Sequence, residues 1–270
     1  MERTLELLRR IFIISIIVCT VLPAIPLVVW SISHRWWFPS IVPDELSTRA
    51  LSYVVGEGSR VLQAVGNSLA IAVAVTLLSI VLGTPAGRAL GRCRFRGKRF
   101  VEFLIIAPVL TPPIAVVMGV HVLFIRIGLV DTMLGVVMVH LLPALPYMVL
   151  VMTGVYANYD RAYEQQAHSL GAGATATFIH VTVPAILPGL VSGGLFVFLI
   201  SWSQYLLTLV IGGGRVVTLP VLLFSFATAG DNALTALLSL IFLVPALVVL
   251  VFTSRFVTGR SSALSGIGRI

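Results

Sequence analysis

Six long stretches of this sequence contain no Asp, Glu, Lys or Arg, and they constrain the fold more than any motif does. They lie between Arg10 and His34, Arg60 and Arg88, Glu102 and Arg126, Asp131 and Asp160, His180 and Arg215, and Asp231 and Arg255. A membrane-spanning helix needs about 20 mostly apolar residues, and one charged side chain near its centre costs roughly 2.5 to 3.5 kcal/mol. Each stretch is long enough to cross a bilayer, so the chain is predicted to cross it six times.

Composition supports the same class. The chain has 270 residues, of which 58% are hydrophobic and 10% charged, whereas soluble domains have about 25% charged residues. We therefore predict an all-α, polytopic membrane helix bundle. Its six transmembrane helices are placed at residues 11–31, 61–82, 103–125, 133–156, 186–211 and 233–254.

The distribution of Lys and Arg predicts the orientation. With both termini in the cytoplasm, only five of the 18 basic residues fall outside, namely Arg35, Arg49, Arg60, Arg126 and Arg215. This asymmetry follows the positive-inside rule and predicts a multi-pass protein of the cytoplasmic (inner) cell membrane. The basic run 87–99 is interpreted as a topology signal that meets anionic lipid, with no nucleic-acid partner.

The topology divides the protein into three parts. Residues 1–60 hold the first helix and an outside loop, and residues 61–254 form a core of five helices with a cytoplasmic loop at 157–185. Residues 255–270 form a cytoplasmic tail. In the outside loop, Trp36, Trp37 and Phe38 suit the membrane interface.

Polar side chains inside the predicted spans are candidates for a substrate path. They are Asn67, Thr111, Ser201, Gln204, Tyr205 and Thr208. Ser201, Gln204 and Thr208 would share one stripe of a helix, and Thr111 lies among prolines that interrupt the third span. The alternative is packing between helices, which the small-residue spacing of Gly189 and Gly193 also favours. Asn67 and Thr76 are expected to hydrogen-bond to a neighbouring helix, and His121 and His140 to backbone carbonyls.

The cytoplasmic loop contains a predicted short helix at residues 160–170, on which Ala162, Ala167 and Leu170 give an apolar face. Gly171 and Gly173 are predicted to end it, as glycines do after helices. The punctuation by Gly and Pro predicts a rigid element that is presented to a protein partner. A solvated loop that happens to be helical is the alternative.

This loop carries an ordered set of residues found in a known family. In order, they are Glu164, Ala167, Ser169-Leu170-Gly171-Ala172, Phe178, Val183-Pro184 and Pro188. The set resembles the EAA loop of binding-protein-dependent ABC importer permeases of the MetI-like type I fold, in which E-A-A precedes three residues and a Gly. The resemblance extends to Asn67-Ser68-Leu69, Gly83, Leu145-Pro146-Tyr147 and Thr218-Leu219-Pro220-Val221. Counted back from Gly171, the family's Glu and first Ala positions are Gln165 and Gln166.

The resemblance implies a transport subunit that performs no chemistry itself. It would form half of a solute path with a second, homologous or identical permease subunit, and an extracytoplasmic solute-binding protein would deliver the solute. A dimer of separate ABC ATPase subunits, which bind the ATP and Mg, would grip the loop. The implied ATPase-coupling residues are Arg161, Glu164, Gln165, Gln166, Ala167, Leu170 and Gly171. No catalytic residue, metal site or cofactor is predicted for the permease itself.

The resemblance leaves the solute open. Trp36 to Pro39, Ser201 to Tyr205 and Gly212 to Gly214 look more like the branch that transports polyamines, iron or thiamine than the sugar branch. A sugar importer of the same family and an ion-coupled secondary transporter are the alternatives. The secondary transporter would normally carry Asp or Glu inside its spans, and the predicted spans contain none.

Overall fold

The protein is predominantly α-helical in the computed structural model, which describes residues 2–36, 40, 42–56 and 58–265. The helices are α1 (Glu2–Val21), α2 (Ala24–Ser31), α3 (Arg49–Val55), α4 (Val61–Arg92), α5 (Lys98–Leu110), α6 (Pro113–Arg126), α7 (Met133–Ala157), α8 (Ala162–Ser169), α9 (Ala174–Thr177), α10 (Val183–Trp202), α11 (Leu206–Gly212), α12 (Leu219–Thr228) and α13 (Asn232–Ser265). A π-helical turn at Phe178–Thr182 joins α9 to α10. Two short strands, β1 (Ser33–Arg35) and β2 (Glu45–Leu46), pair antiparallel and correct the all-α prediction locally.

Several helices are able to cross a membrane. Within the described residues, α4, α7, the continuous helical stretch Ala174–Trp202 and the part Asn232–Val249 of α13 are long and apolar enough, and α5 with α6 adds a fifth crossing if the bent pair is one span. The count of six and the cytoplasmic termini stay predictions. The predicted Trp37, Phe38 and residues 266–270 of the tail lie outside the described residues.

Two predicted single helices are each broken in the structure. The predicted helix at 11–31 is interrupted between α1 and α2, where Pro23 precedes α2. The predicted helix at 103–125 consists of α5 and α6, which meet at an angle of 102°. Thr111 and Pro112 have extended backbone there, because a residue that precedes proline avoids the helical region.

The predicted helix at 186–211 is also wrong as one element. Its helical stretch begins earlier, at Ala174, and α10 ends at Trp202. Ser203 to Tyr205 then separate it from α11. Neither Pro nor Gly lies at this break, so local sequence did not predict it.

The protein forms two compact units. The first comprises Met1–Ala64 and Leu219–Pro245. In this unit the side chain of Arg49 pairs with Asp231 at 2.7 Å, beside an apolar cluster formed by Ala50, Ala233, Leu234 and Leu237.

The second unit comprises Val65–Thr218 and Ala246–Ile270. The predicted divisions after residues 60 and 254 followed the order of spans and loops in the sequence, and they stay predictions.

Helix α7 is the centre of the second unit. Buried side chains line it from Val136 to Tyr156, including Met148 and Met152. Glycines of two other helices lie against it, so backbones approach closely, as is usual between membrane helices. In α10, a Cβ atom at Gly193 would lie 2.8 Å from Met148 Sδ, which confirms that the Gly189 and Gly193 spacing serves packing. In α4, the contacts come from Gly83, Gly87 and Gly91. These glycines are spaced four residues apart, and the sequence analysis makes no prediction from that spacing.

Candidate functional site

Helix α8 confirms the predicted helix of the cytoplasmic loop. Its first turn is capped by Asp160, whose Oδ1 accepts a hydrogen bond of 2.9 Å from the backbone N–H of Ala162. At its other end the N–H of Ala172 donates to the carbonyl of Ala167, and the N–H of Gly171 donates to the carbonyl of His168, both at 3.0 Å. These are the two bonds of a Schellman motif. Gly171 has φ +88°, so the predicted helix stop requires a glycine.

Glu164 ties α8 to two other elements. Its carboxylate accepts from Nη1 of Arg92, at 3.2 and 3.3 Å to the two oxygens. It also accepts from Oγ1 of Thr182 at 3.0 Å. Arg92 is the last residue of α4, and Thr182 is the last residue of the π-helical turn before α10. One carboxylate therefore connects the loop helix to the C-terminal end of α4 and to the turn that leads into α10.

Arg92 lies in an aromatic setting that only the tertiary structure shows. Its side chain is 6% exposed. The guanidinium carbon is 5.0 Å from the ring centroid of Tyr156 and 4.6 Å from that of Tyr159. Such cation–π contacts contribute more when water is excluded. The rings and Glu164 together hold this cation in place at the end of α4.

The ionisation of Glu164 reflects these contacts. Burial raises the pKa of its carboxyl, but hydrogen bonds from Thr182 and Arg92 and the positive charges of Arg92 and Arg88 outweigh it, so the pKa lies below its ordinary value of 4.5. The charged form is therefore the one that the fold stabilises.

This shift predicts a pH dependence. A carboxyl whose pKa is lowered on folding contributes stability above its unfolded pKa, and the contribution is lost as pH falls through the folded value. Thermal unfolding at pH 6 and pH 4 should therefore show a larger loss for the wild type than for Glu164→Gln. Asp231, whose pKa is also lowered, is common to both proteins and cancels. Equal losses in the two proteins would contradict the assignment.

The outward side of α8 carries no acidic side chain. Gln165 and Gln166 are exposed, and Ala167 is half-buried. Tyr163 is exposed, and Leu170 is 88% exposed. Leu170 lies at the C-cap of α8, so the apolar face predicted from Ala162, Ala167 and Leu170 is open to solvent at this residue. Apart from Arg161 at the N-cap, these exposed side chains are uncharged, and Tyr163 and Leu170 give the surface two apolar points.

A second polar cluster lies in the interior of the bundle. Nδ1 of His140 is 2.9 Å from Oγ of Ser201, and Nε2 is 2.9 Å from Oγ1 of Thr208. Thr208 also donates to the carbonyl oxygen of Gln204 at 3.1 Å, so its hydroxyl accepts from Nε2–H, and Nδ1 accepts from Ser201. All three side chains are buried. The prediction of a backbone carbonyl partner for His140 is wrong, because both ring nitrogens bond to side-chain hydroxyls. One hydroxyl lies in α10 and the other in α11, so His140 connects the two sides of the break.

The other predicted path residues lie apart from this cluster or at its edge. Asn67 donates to the carbonyl oxygen of Val217 at 2.9 Å. Thr76 bonds within its own helix, to the carbonyl of Ala72, contrary to prediction. Thr111 is exposed at the bend between α5 and α6 and donates to Ala107. Gln204 and Tyr205 lie half-buried at the break after α10.

Comparison with known proteins identifies the family to which this chain belongs. Residues 79–260 match the family described as the binding-protein-dependent transport system inner membrane component. The chain belongs to this family. It is thus related to the permease components of binding-protein-dependent transport systems.

Relatives of this permease differ in what they transport. It is 32% identical over 180 residues to the putrescine transport system permease protein PotI of Escherichia coli strain K12, covering 63% of each protein. It is 28% identical over 223 residues to the diacetylchitobiose uptake system permease protein DasC of Streptomyces coelicolor, covering 81% of this protein and 79% of that one.

A solved structure shares the fold of this permease. It is a bacterial ABC transporter involved in the import of the acidic polysaccharide alginate, with a TM-score of 0.72 and 17% identity over 94% of this protein and 96% of that one.

The structure identifies four residues around Glu164 that the sequence analysis does not include in the site. The sequence indicates only a topology charge at Arg92 and no role for Thr182, Tyr156 or Tyr159. The signal in the sequence that could have identified this ion pair is the charge of its members. Arg92 stands at the end of a long apolar stretch and Glu164 has no assigned partner, so the two are candidates for an ion pair. Spacing could not identify the pair, since 72 residues separate the partners.

Proposed function

We propose that this permease forms half of the solute path of an ATP-driven importer and that α8 is the helix gripped by a separate ATPase. The observation that carries the proposal is the dual attachment of Glu164. Through Arg92 and Thr182, a displacement of α8 is transmitted to the end of α4 and to the start of α10. A short helix bonded in this way moves with the membrane helices and does not slide over them.

The partners follow from this role. A dimer of ATPase subunits binds ATP and Mg and closes during the transport cycle. One ATPase subunit binds α8 of this permease, and the other binds the equivalent helix of a second permease subunit. Arg161, Gln165, Gln166 and Leu170 are the contact residues, while Glu164, Ala167 and Gly171 hold the helix in position. An extracytoplasmic binding protein delivers the solute.

The solute path is proposed to pass the break after α10. Gln204 and Tyr205 lie there, next to the pair Ser201 and Thr208 that His140 holds, and Asn67 and Thr111 are assigned more distant positions on the path. The solute is proposed to be a polyamine or a similar small cation, and iron and thiamine are kept in the same class. The putrescine permease among the relatives supports this choice, while the diacetylchitobiose permease supports a sugar. Titration of the partner binding protein with putrescine, ferric ion, thiamine and a chitobiose derivative decides between them.

The coupling role is tested at the helix stop. Gly171→Pro should leave the permease in the membrane but abolish stable association with the ATPase, because proline cannot adopt the φ of +88° found at Gly171. The measurements are membrane insertion, co-purification of the ATPase and solute uptake. A deletion of residues 161–167 should give the same result.

Gly173→Ala is the matched control. Gly173 has φ −70°, and a Cβ atom there would meet nothing within 4 Å. This variant should bind the ATPase and transport as the wild type does. Normal ATPase binding and uptake by Gly171→Pro would overturn the proposal.

A further inference from the structure

A cavity with a strong positive charge lies between the end of α4 and the start of α8. Its volume is about 400 Å³, and its charged lining consists of Arg88, Arg92, Arg161 and Glu164. The rest of the lining comes from Pro85, Ala89 and Cys93. The cavity thus adjoins the outward surface of α8 but is formed mainly by a membrane helix.

The charges in this cavity do not balance. Three guanidinium groups face one carboxylate, and that carboxylate is already bonded to Arg92 and Thr182. Arg161 makes one long hydrogen bond of 3.5 Å, to the carbonyl oxygen of Arg92. Arg88 has no ion-pair partner among the residues that the structure describes. Two positive charges are therefore left for an external anion.

Arg92 also has hydrogen-bond donors that no acceptor satisfies. Its Nε and Nη2 are buried and have no hydrogen-bond partner among the described residues, although the side chain is only 6% exposed. Buried donors normally find a partner. The tyrosine rings cover the guanidinium face but do not accept from its edge N–H groups in the plane. Asp160 does not line the cavity, and its carboxylate accepts a hydrogen bond from the backbone N–H of Ala162.

We infer that this cavity receives an acidic side chain of the ATPase that docks on α8. The inference rests on the proposed function. Arginine binds carboxylates through paired N–H groups, and Arg88 and Arg161 are exposed enough to do so. The outward side of α8 carries the neutral Gln165 where the family pattern has Glu, and Gln166 where it has Ala. The charged contact of this permease is therefore basic on the permease side and acidic on the ATPase side.

The test compares two double variants that each remove two exposed positive charges from the full-length permease. Arg88→Gln with Arg161→Gln changes the cavity. Arg96→Gln with Arg99→Gln changes two exposed residues that do not line it. Each is assembled with its permease partner in nanodiscs of phosphatidylcholine, and the affinity for the ATPase isolated with the wild-type complex is measured at several salt concentrations.

The cavity variant should bind the ATPase about tenfold more weakly and with a shallower salt dependence, because it loses charge pairs at the contact. The control should stay within about twofold of the wild type. Charge reversal gives a second line of support: Arg161→Glu should lose binding, and an Asp or Glu to Arg substitution in the docking groove of the ATPase should restore it.

Three outcomes would overturn the inference. They are unchanged affinity of the cavity variant, equal weakening of both double variants, and a defect that appears only when phosphatidylglycerol is added, which would assign the cavity to a lipid headgroup. Each leaves the proposed function intact as long as the wild type binds the ATPase and Gly171→Pro does not. If the wild type itself binds no ATPase, the proposed function fails first.

Discussion

Gly87→Ala should destabilise the permease by about 1–3 kcal/mol, although it adds a single methyl group. A Cβ atom at this position would lie 2.5 Å from Cβ of Met152, 2.9 Å from the carbonyl carbon of Met152 and 2.9 Å from the backbone nitrogen of Thr153. Backbone atoms and a Cβ cannot rotate away, so α4 and α7 must separate. Alanine is the better helix former by up to about 1 kcal/mol, and the clash must outweigh that gain.

The effect should be graded along α4. At Gly83 the nearest atom to an added methyl group is Met148 Cγ at 2.7 Å, which belongs to a flexible side chain, so Gly83→Ala should cost less than Gly87→Ala. At Gly91 the nearest atom is the carbonyl oxygen of Thr153 at 2.6 Å, and the cost should again be large. Thermal unfolding of the detergent-purified protein measures all three.

Gly154→Ala on α7 is the matched control. It is also a glycine inside a membrane helix, but a Cβ atom there would meet nothing within 4 Å. This variant should be as stable as the wild type or slightly more stable. If Gly87→Ala and Gly154→Ala unfold at the same temperature, the close approach of α4 to α7 is wrong.

Arg92→Ala should also have a large effect, about 2–4 kcal/mol on the unfolding of the second unit. The substitution leaves the carboxylate of Glu164, which is 18% exposed, with only Thr182 as a side-chain partner. It also removes the cation from between Tyr156 and Tyr159. Because Glu164 then keeps only its bond to Thr182 and no longer connects α8 to α4, solute-stimulated ATP hydrolysis by the assembled complex should fall further than stability does.

A double-mutant cycle isolates the pair. Arg92→Ala combined with Glu164→Ala should cost less than the sum of the two single substitutions, since no uncompensated charge is left. Lys98→Ala is the control, because Lys98 and Glu102 form a wider pair at 3.9 Å with side chains 33% and 37% exposed. That substitution should change stability by less than about 1 kcal/mol. Equal effects of Arg92→Ala and Lys98→Ala would refute the role of Arg92 as an anchor.

The two largest predictions depend on contacts that no pattern in the sequence indicated. Charge-free stretches predicted α7 and the beginnings of α4, α10 and α13 within about three residues, whereas α4 and α13 extend about three turns beyond their predicted ends and α10 ends early, at Trp202. The helix of the cytoplasmic loop and its stop at Gly171 were also predicted. These features are decided locally, since burial of a backbone in lipid requires a helix, and glycine alone adopts positive φ without strain.

The breaks were predicted only in part. Proline marked the interruption between α5 and α6, because the restriction that it places on the preceding residue acts at the position itself. The break between α10 and α11 contains neither proline nor glycine. His140 contacts Ser201 on one side of this break and Thr208 on the other, at separations of 61 and 68 residues in the sequence. No local sequence pattern contains such a long-range contact.

By itself, then, the sequence determined that this protein is a membrane helix bundle, which of its segments are apolar enough to span, and that a short rigid helix interrupts them. Only the tertiary structure decided that Glu164 faces inward to Arg92 and Thr182, and that Gln165, Gln166 and Leu170 face outward. The physical reason is range. Propensity and hydrophobicity act within a few residues, whereas the partner of a buried charge is chosen by whichever helix end the packing of α4 against α7 brings within hydrogen-bonding distance.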